Sequence, residues 1–331
     1  MFFVERIMRI SQLAFVLVFA FILSFPVVPG ADAGEDPPDE KSAGCLSALD
    51  AHVHFYDPQR PQGVPWPGKG DKLLYRTVLP SEFKKLTKKH HVQGTIVVEA
   101  SPWLEDNQWL LDLAAKEPFI VGVVGRLDPA RDDFSKHLGR FARDPLFRGI
   151  RINHDELRRG LSQKKFIDHL CLLVEHDRTL DVNGGPDMPA DVATLAQKIP
   201  ELRIVINHAA NLRIDGKPVP PAWLQGMRAA AAEKRVFCKV SALVEGTRKR
   251  KGDAPTDVDF YRPTLDALWQ TFGEDRLIYA SNWPVSNNAA SYATVYNIPR
   301  HYLEKCGAGA AEKFFRRNAI AAYKPVIRDA K

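Results

Sequence analysis

From residue 49 to residue 282 the chain alternates short β-rich runs with longer amphipathic segments. The short runs, rich in Val and Ile, span 49–55, 94–101, 120–128, 148–153, 179–183, 203–208, 236–243 and 276–282. Between them, Val192, Leu195, Ala196 and Ile199 recur at i, i+3, i+4, i+7, and so do Leu265, Leu268, Trp269 and Phe272. That spacing lays one apolar stripe along a helix. The segment 166–174 is also apolar on one side. Pro189 falls just inside the start of the first of these helices and Pro263 near the start of the second, where a missing N–H costs little. Strands that each lead into a helix read as parallel βαβ units. Eight of them over about 280 residues predict an α/β protein made of a single (β/α)8 TIM barrel. An open doubly wound sheet is the alternative, but its nucleotide-binding form carries a Gly-rich turn after the first strand. No GxGxxG occurs here, and neither an internal repeat nor a second domain is visible.

The two ends read differently. Arg6 and Arg9 precede an apolar stretch over 13–28, broken by Ser24 and Pro26, and Ala31-Asp32-Ala33 follows with small residues at a cleavage position. This is the three-part layout of a secretory signal. Residues 1–33 are therefore expected to be removed near Ala33, sending the protein to the periplasm or outside the cell, with membrane contact only through that segment before cleavage. Residues 34–47 are polar, with Pro37 and Pro38, and read as a linker. The barrel is expected over 48–325 and a short tail over 326–331.

Composition narrows the function classes. The 331 residues are 45% hydrophobic, enough for a large core, and carry a net charge of +6. Lys and Arg are interspersed with acids except at Arg248-Lys249-Arg250-Lys251. No basic stripe with interleaved aromatics appears, which argues against a nucleic-acid partner and for a small-molecule one. A homo-oligomer is compatible with the sequence. The four cysteines, Cys45, Cys171, Cys238 and Cys306, are scattered without a CxxC pair, so they predict neither a disulfide scaffold nor a structural zinc site.

Chemistry in such a barrel sits at the C-terminal ends of the strands. Each predicted strand delivers a polar group there: Asp50, His52 and His54; Glu99 and Ser101; Arg126 and Asp128; Arg151, Asn153 and His154; Asp181 and Asn183; Asn207 and His208; Lys239 and Ser241; Ser281 and Asn282. His52 and His54 lie two apart, so both imidazoles should point into the mouth. Neutral imidazoles bind zinc and similar cations, although two hydrogen-bonded structural histidines would give the same pattern. His208 ends an apolar strand and suits a third ligand or a general acid or base, because its reference pKa lies near working pH. Arg151 offers a planar fork for a substrate carboxylate or an oxyanion. Its alternative is an ion pair inside the barrel, with Glu99 or Asp181. Arg126 is a similar candidate. The remaining histidines, His90, His91, His137, His169, His176 and His301, sit in polar or helical stretches and receive no role.

Taken in series, the motifs resemble one family. Asp50-Ala51-His52-Val53-His54-Phe55 resembles the first-strand motif of the amidohydrolase-related (amidohydrolase 2) family. Gly122-Val123-Val124-Gly125, Gly149-Ile150-Arg151, Asn207-His208, Lys239-Val240-Ser241, Asp275-Arg276-Leu277, Ser281-Asn282-Trp283-Pro284-Val285, Asn318-Ala319 and Tyr323 follow in the family's order. The branch they look like most is that of sugar-lactone and pyrone-dicarboxylate lactonases, which the Pro- and Trp-containing loop over 56–67 also fits. The resemblance implies hydrolysis of a lactone or ester by activated water. It also implies either one divalent metal, zinc first, held by His52, His54 and His208, or none. It makes Arg126, Arg151, Asp181 and Trp66 candidates for substrate binding. One position departs from the pattern. The family ends strand eight with Ser-Asp-Trp-Pro, whose Asp deprotonates the water; here residue 282 is Asn. An amide can orient water but cannot serve as a general base.

The reading is thus an exported hydrolase that opens a small carboxylated or sugar-derived lactone or ester. Arg151 would anchor an anion, while His208 and Asn282 would position and activate water. His208 or Asp181 would stand in for the missing base, or a metal would acidify its own water. Two alternatives stay open. One is a metal-dependent decarboxylase of the same family. The other is a non-catalytic binding protein, motivated by Asn282.

Overall fold

The computed structural model describes residues 47–328. The signal segment, the linker up to residue 46 with Cys45, and residues 329–331 lie outside the described residues. The strands are β1 (Ala48–Val53), β2 (Val92–Val98), β3 (Ile120–Gly125), β4 (Phe147–Asn153), β5 (Thr179–Asn183), β6 (Ile204–Ile206), β7 (Val236–Val240) and β8 (Leu277–Tyr279). All pair in parallel and in chain order. Closure comes at the mouth. Asn282 N donates to His52 O at 2.9 Å, His54 N donates to Trp283 O at 2.9 Å, and Val53 bridges Trp283 in parallel. The eight strands with their intervening helices form the TIM barrel that the alternation predicts.

Two apolar layers hold it together. Inside the barrel, Leu49, Ala51, Ile96, Val98, Val121, Val205, Phe237 and Ile278 pack on Ala319, Ala322 and Tyr323 of the C-terminal helix Asn318–Tyr323. Outside, the helical stripes seal the strands. Val192, Leu195, Ala196 and Ile199 are all buried there, as are Leu265, Leu268 and Phe272. Each large apolar side chain so buried contributes about 1.5–3 kcal/mol. Strands β4 and β5 approach so closely that a Cβ at residue 149 would stand 2.1 Å from Thr179 Oγ1, which only glycine avoids.

Boundaries differ from the sequence reading in two instructive ways. Pro189 does sit in the first turn of its helix, Met188–Lys198, but Pro263 lies inside its helix, Val258–Phe272. Asp257 starts that helix earlier by accepting the Asp259 N–H at 3.0 Å. Several strands end sooner than their β-rich runs. At His208, Ala242 and Asn282 the backbone turns into the left-handed region, with φ of 56°, 54° and 58°. Extended pairing cannot pass through such a residue, and each non-glycine residue held there costs on the order of 1 kcal/mol. The strand tips are therefore strained turns, and they carry the polar groups.

Candidate functional site

Strand β1 supplies the first two imidazoles, and its irregular register between Asp50 and Val53 decides which side chains share the mouth. Asp50 is not among them. It faces the helical layer, where Oδ1 accepts from Ser281 N at 2.9 Å and His52 N at 3.2 Å, and Oδ2 accepts from Tyr292 Oη at 3.2 Å. Burial pushes its carboxyl up to about 6 against those hydrogen bonds. Asp50 thus ties β1 to the end of β8.

His52, His54 and His208 come together at the strand ends. Their ring centroids lie 4.9 Å apart for His52–His54 and 4.4 Å for His52–His208. His54 Nδ1 donates to Val98 O at 2.9 Å, which leaves a lone pair on its Nε2. His208 Nδ1 pairs with Ser241 Oγ at 2.8 Å. His52 differs. Its Nδ1 lies 3.2 Å from Lys239 Nζ, and Lys239 in turn donates to Asp181 Oδ2 at 2.7 Å, with both side chains fully buried. Burial lowers the lysine's pKa and the Asp181 carboxylate opposes that shift. An ammonium has no lone pair, so it donates to Nδ1, and the neutral His52 ring carries its proton on Nε2. That Nε2 is buried and without a partner.

All three rings are held neutral. Burial is the main cause, reinforced by Lys239 at His52 and by Arg151 at His54 and His208. His54 falls to about 3, and the other two fall well below their ordinary value.

The other sequence candidates divide. Arg151 is in the cluster: its charge acts on all three imidazoles. It also donates to Glu99, from Nε to Oε1 at 2.9 Å and from Nη2 to the backbone carbonyl at 2.8 Å. Of the two ion pairs foreseen for it, the one with Glu99 forms. Trp66 is there too, its ring edge-on to His54 at 5.8 Å, on a loop fastened by the Tyr56–Val78 bridge.

Asp181 corrects the reading. It is fully buried below the mouth, and besides Lys239 it accepts from Asn207 Nδ2 at 2.8 Å and from Tyr323 Oη at 2.9 and 3.0 Å. Its lone pairs are so committed to protein donors, which distinguishes it from the groups at the mouth. Arg126 donates to Arg151 O at 3.0 Å and pairs with Glu156, and it lines the cavity beyond β3 with Asp128 and Arg131.

Two participants were missed. Lys239 stood in a motif without a role, yet it sets the tautomer of His52. Glu245, on the short helix Leu243–Gly246, accepts from Asn282 Nδ2 at 2.8 Å. Its carboxyl is pushed up to about 7 by burial, with the Asn282 bond opposing, and its Oε2 is buried without a partner. In the sequence Glu245 lies just past a run that reads as strand; only the left-handed Ala242 turns it toward residue 282.

Chemically, the cluster presents one N–H donor (His52 Nε2), acceptors on uncharged rings, and a fixed guanidinium. This suits a carbonyl and a water better than a cation. A three-histidine metal site needs a lone pair on every ligand nitrogen, and His52 does not offer one while Lys239 holds its Nδ1. Among the described residues, no group of three His, Cys, Asp or Glu side chains is arranged to hold an ion. In this tautomer the three histidines would hold a divalent cation only after His52 gives up its Nε2 proton.

The model of the amidohydrolase family, Amidohydro_2, matches residues 49–324. An L-fucono-1,5-lactonase of Burkholderia ambifaria is 33% identical over 288 residues, covering 83% of this chain and 95% of the relative. An L-fucono-1,5-lactonase of Burkholderia multivorans is 28% identical over 77% of this chain and 88% of its own length. Among solved structures, an amidohydrolase from Burkholderia multivorans with bound zinc superposes with a TM-score of 0.76 at 26% identity, covering 84% of this chain and 99% of that one.

Proposed function

Because this chain belongs to the amidohydrolase family, we propose that it opens a sugar-derived lactone by attack of water on the ring carbonyl. The observation that carries this reading is the neutral cluster of His52, His54 and His208 beside Arg151, with a buried, unpartnered N–H on His52. The lactonase relatives support the substrate class. In this reading the carbonyl oxygen accepts from His52 Nε2 and faces the Arg151 guanidinium. Both are fixed before the substrate arrives, so the negative charge that develops on this oxygen meets dipoles that need no reorganisation. Trp66, edge-on to His54, walls one side of the ring. His208 and the carbonyl of Asn282 orient the water. His208 itself, kept well below its ordinary pKa, is a poor final acceptor for the water's proton.

The test is a pH-indicator screen of aldonolactones. Wild type should release acid, and His208→Ala should be slower by about 100-fold, within the range for loss of one positioned proton-handling group. Equal rates would remove His208 from the essential groups.

The zinc-bound relative makes a divalent cation a candidate cofactor in this family. With His52 protonated on Nε2, only His54 and His208 can present a lone pair, fewer than the three protein ligands of catalytic zinc sites. No step is assigned to a metal. Protein stripped with a strong chelator and dialysed should keep its lactone-opening rate within about two-fold. A loss restored by added zinc would overturn that assignment.

A further inference from the structure

The family resemblance expects a carboxylate at residue 282, and the proposed reaction needs a proton acceptor there. Among the buried or half-buried carboxylates near the strand tips are Asp50, Asp181, Glu99 and Glu245. Asp50 is bonded outward to Ser281 and Tyr292, Asp181 is filled by Lys239, Asn207 and Tyr323, and Glu99 is taken by Arg151. The fourth, Glu245, makes one side-chain contact, with the amide of Asn282. Among the described residues its Oε2 is the only buried carboxylate oxygen without a partner. Leaving such an atom unsatisfied costs about 1–3 kcal/mol or more, and it leaves Oε2 open to accept a proton or a hydrogen bond.

We propose that Glu245 is the proton acceptor for the attacking water, held at the tip of strand eight by Asn282, so that the pair replaces a single carboxylate at residue 282. This rests on the lactonase reading. Asn282 is fixed from two sides: its backbone N–H donates to His52 O at 2.9 Å, and its Nδ2 donates to Glu245 Oε1 at 2.8 Å. The amide thus spends its donor on Glu245, and its carbonyl lies beside His54, whose protonated form it favours. Glu245 Oε2 is the carboxylate oxygen that the Asn282 bond leaves free, and it is the one assigned to the water's proton. The left-handed backbone at Ala242 and Asn282 brings the two elements face to face.

The step balances without a co-reactant. The water oxygen bonds to the carbonyl carbon, and the π pair moves to the carbonyl oxygen, where His52 Nε2–H and Arg151 hold it. The water's proton goes to Glu245 Oε2. When the oxyanion collapses, the ring C–O bond breaks, and the leaving oxygen takes the proton back from Glu245. The product is the open hydroxy acid, and the carboxylate is regenerated.

The surroundings favour a titration in the working range. Glu245 is pushed up to about 7 by burial. Of the elements packed against its helix, the turn His208–Asn211 carries the neutral His208 and the turn Val285–Asn288 carries no titratable group. Tyr261, whose ionisation is made harder by burial and then by Glu245, donates to Pro255 O at 2.8 Å.

The experiment measures kcat, KM and pH profiles on the lactone that wild type opens fastest. Wild type should lose rate below about pH 7 as Glu245 takes up its proton. Glu245→Gln keeps the size and a partner for Asn282 but cannot titrate. It should lower kcat by about 100-fold or more, leave KM within about three-fold and abolish the acid limb near pH 7. Adding Asn282→Asp to Glu245→Gln returns a carboxylate to residue 282 and should recover at least about ten-fold of that loss. If wild type is active and Glu245→Gln keeps both rate and acid limb, the assignment is overturned while the lactonase reading stands. If wild type opens no lactone, that reading falls and the assignment falls with it. Should Glu245→Gln fail to give a cooperative melt, Glu245→Asp takes its place. Partial activity with a displaced acid limb supports the assignment, and an undisplaced limb refutes it.

Discussion

Lys239→Met should cost about 3–5 kcal/mol of folding stability, the range found when one partner of a buried ion pair is removed. At roughly 2–4 °C per kcal/mol for a domain of this size, the melting temperature at pH 7 should fall by about 6–20 °C. Lys239 and Asp181 are both fully buried and 2.7 Å apart, so the substitution strands a carboxylate inside the barrel. The bonds from Tyr323 and Asn207 soften the loss without supplying a charge. The companion variant Lys239→Met with Asp181→Leu removes both charges and should recover most of the stability. Thermal melts of the three proteins decide the matter. A shift below about 2 °C in the single variant would show that the pair is not a structural anchor. The pair also has a functional face, because Lys239 is the group that fixes the proton of His52 on Nε2.

His52→Ala should lower kcat for lactone opening by about 100- to 1000-fold, as loss of one preorganised oxyanion donor does. The ring lies at the centre of the cluster, and its Nε2 is the buried N–H without a protein partner. If that N–H bonds more strongly to the oxyanion than to the ground-state carbonyl, the loss falls on kcat and KM moves little. His52→Gln can return an N–H donor and should regain part of the loss. Steady-state kinetics on an aldonolactone make the comparison. An alanine variant at wild-type rate would deny His52 the donor role.

Much of this protein is legible along the chain. Eight β-rich runs alternating with amphipathic segments specify the barrel, because each Val- and Ile-rich run buries both faces only between a filled interior and a helical shell. The same order places His52, His54, Arg151 and His208 at strand ends, and the structure does bring them together. What the chain conceals is which polar groups remain available. Asp181 looked as suitable as Arg151, yet Lys239, Tyr323 and Asn207 occupy its oxygens. No local pattern carries that information, since Asp181 meets Tyr323 across 142 residues and His52 meets Lys239 across 187. Asp50 shows the same limit at shorter range. Alternation along β1 would aim it with His52 and His54, but the register irregularity turns it to Tyr292.

The Asn at 282 can be read in the sequence only as a missing base. Its meaning depends on Glu245, thirty-seven residues away, and on two left-handed residues that turn the ends of β7 and β8 toward each other. Periodicity determined the barrel and put His52 and His54 at its mouth, because burial of apolar side chains repeats along the chain. Tertiary structure alone decided the proton on His52, the sealing of Asp181 and the pairing of Asn282 with Glu245. Those follow from buried charges and hydrogen bonds, whose partners are set by which strands and helices meet rather than by their distance in sequence.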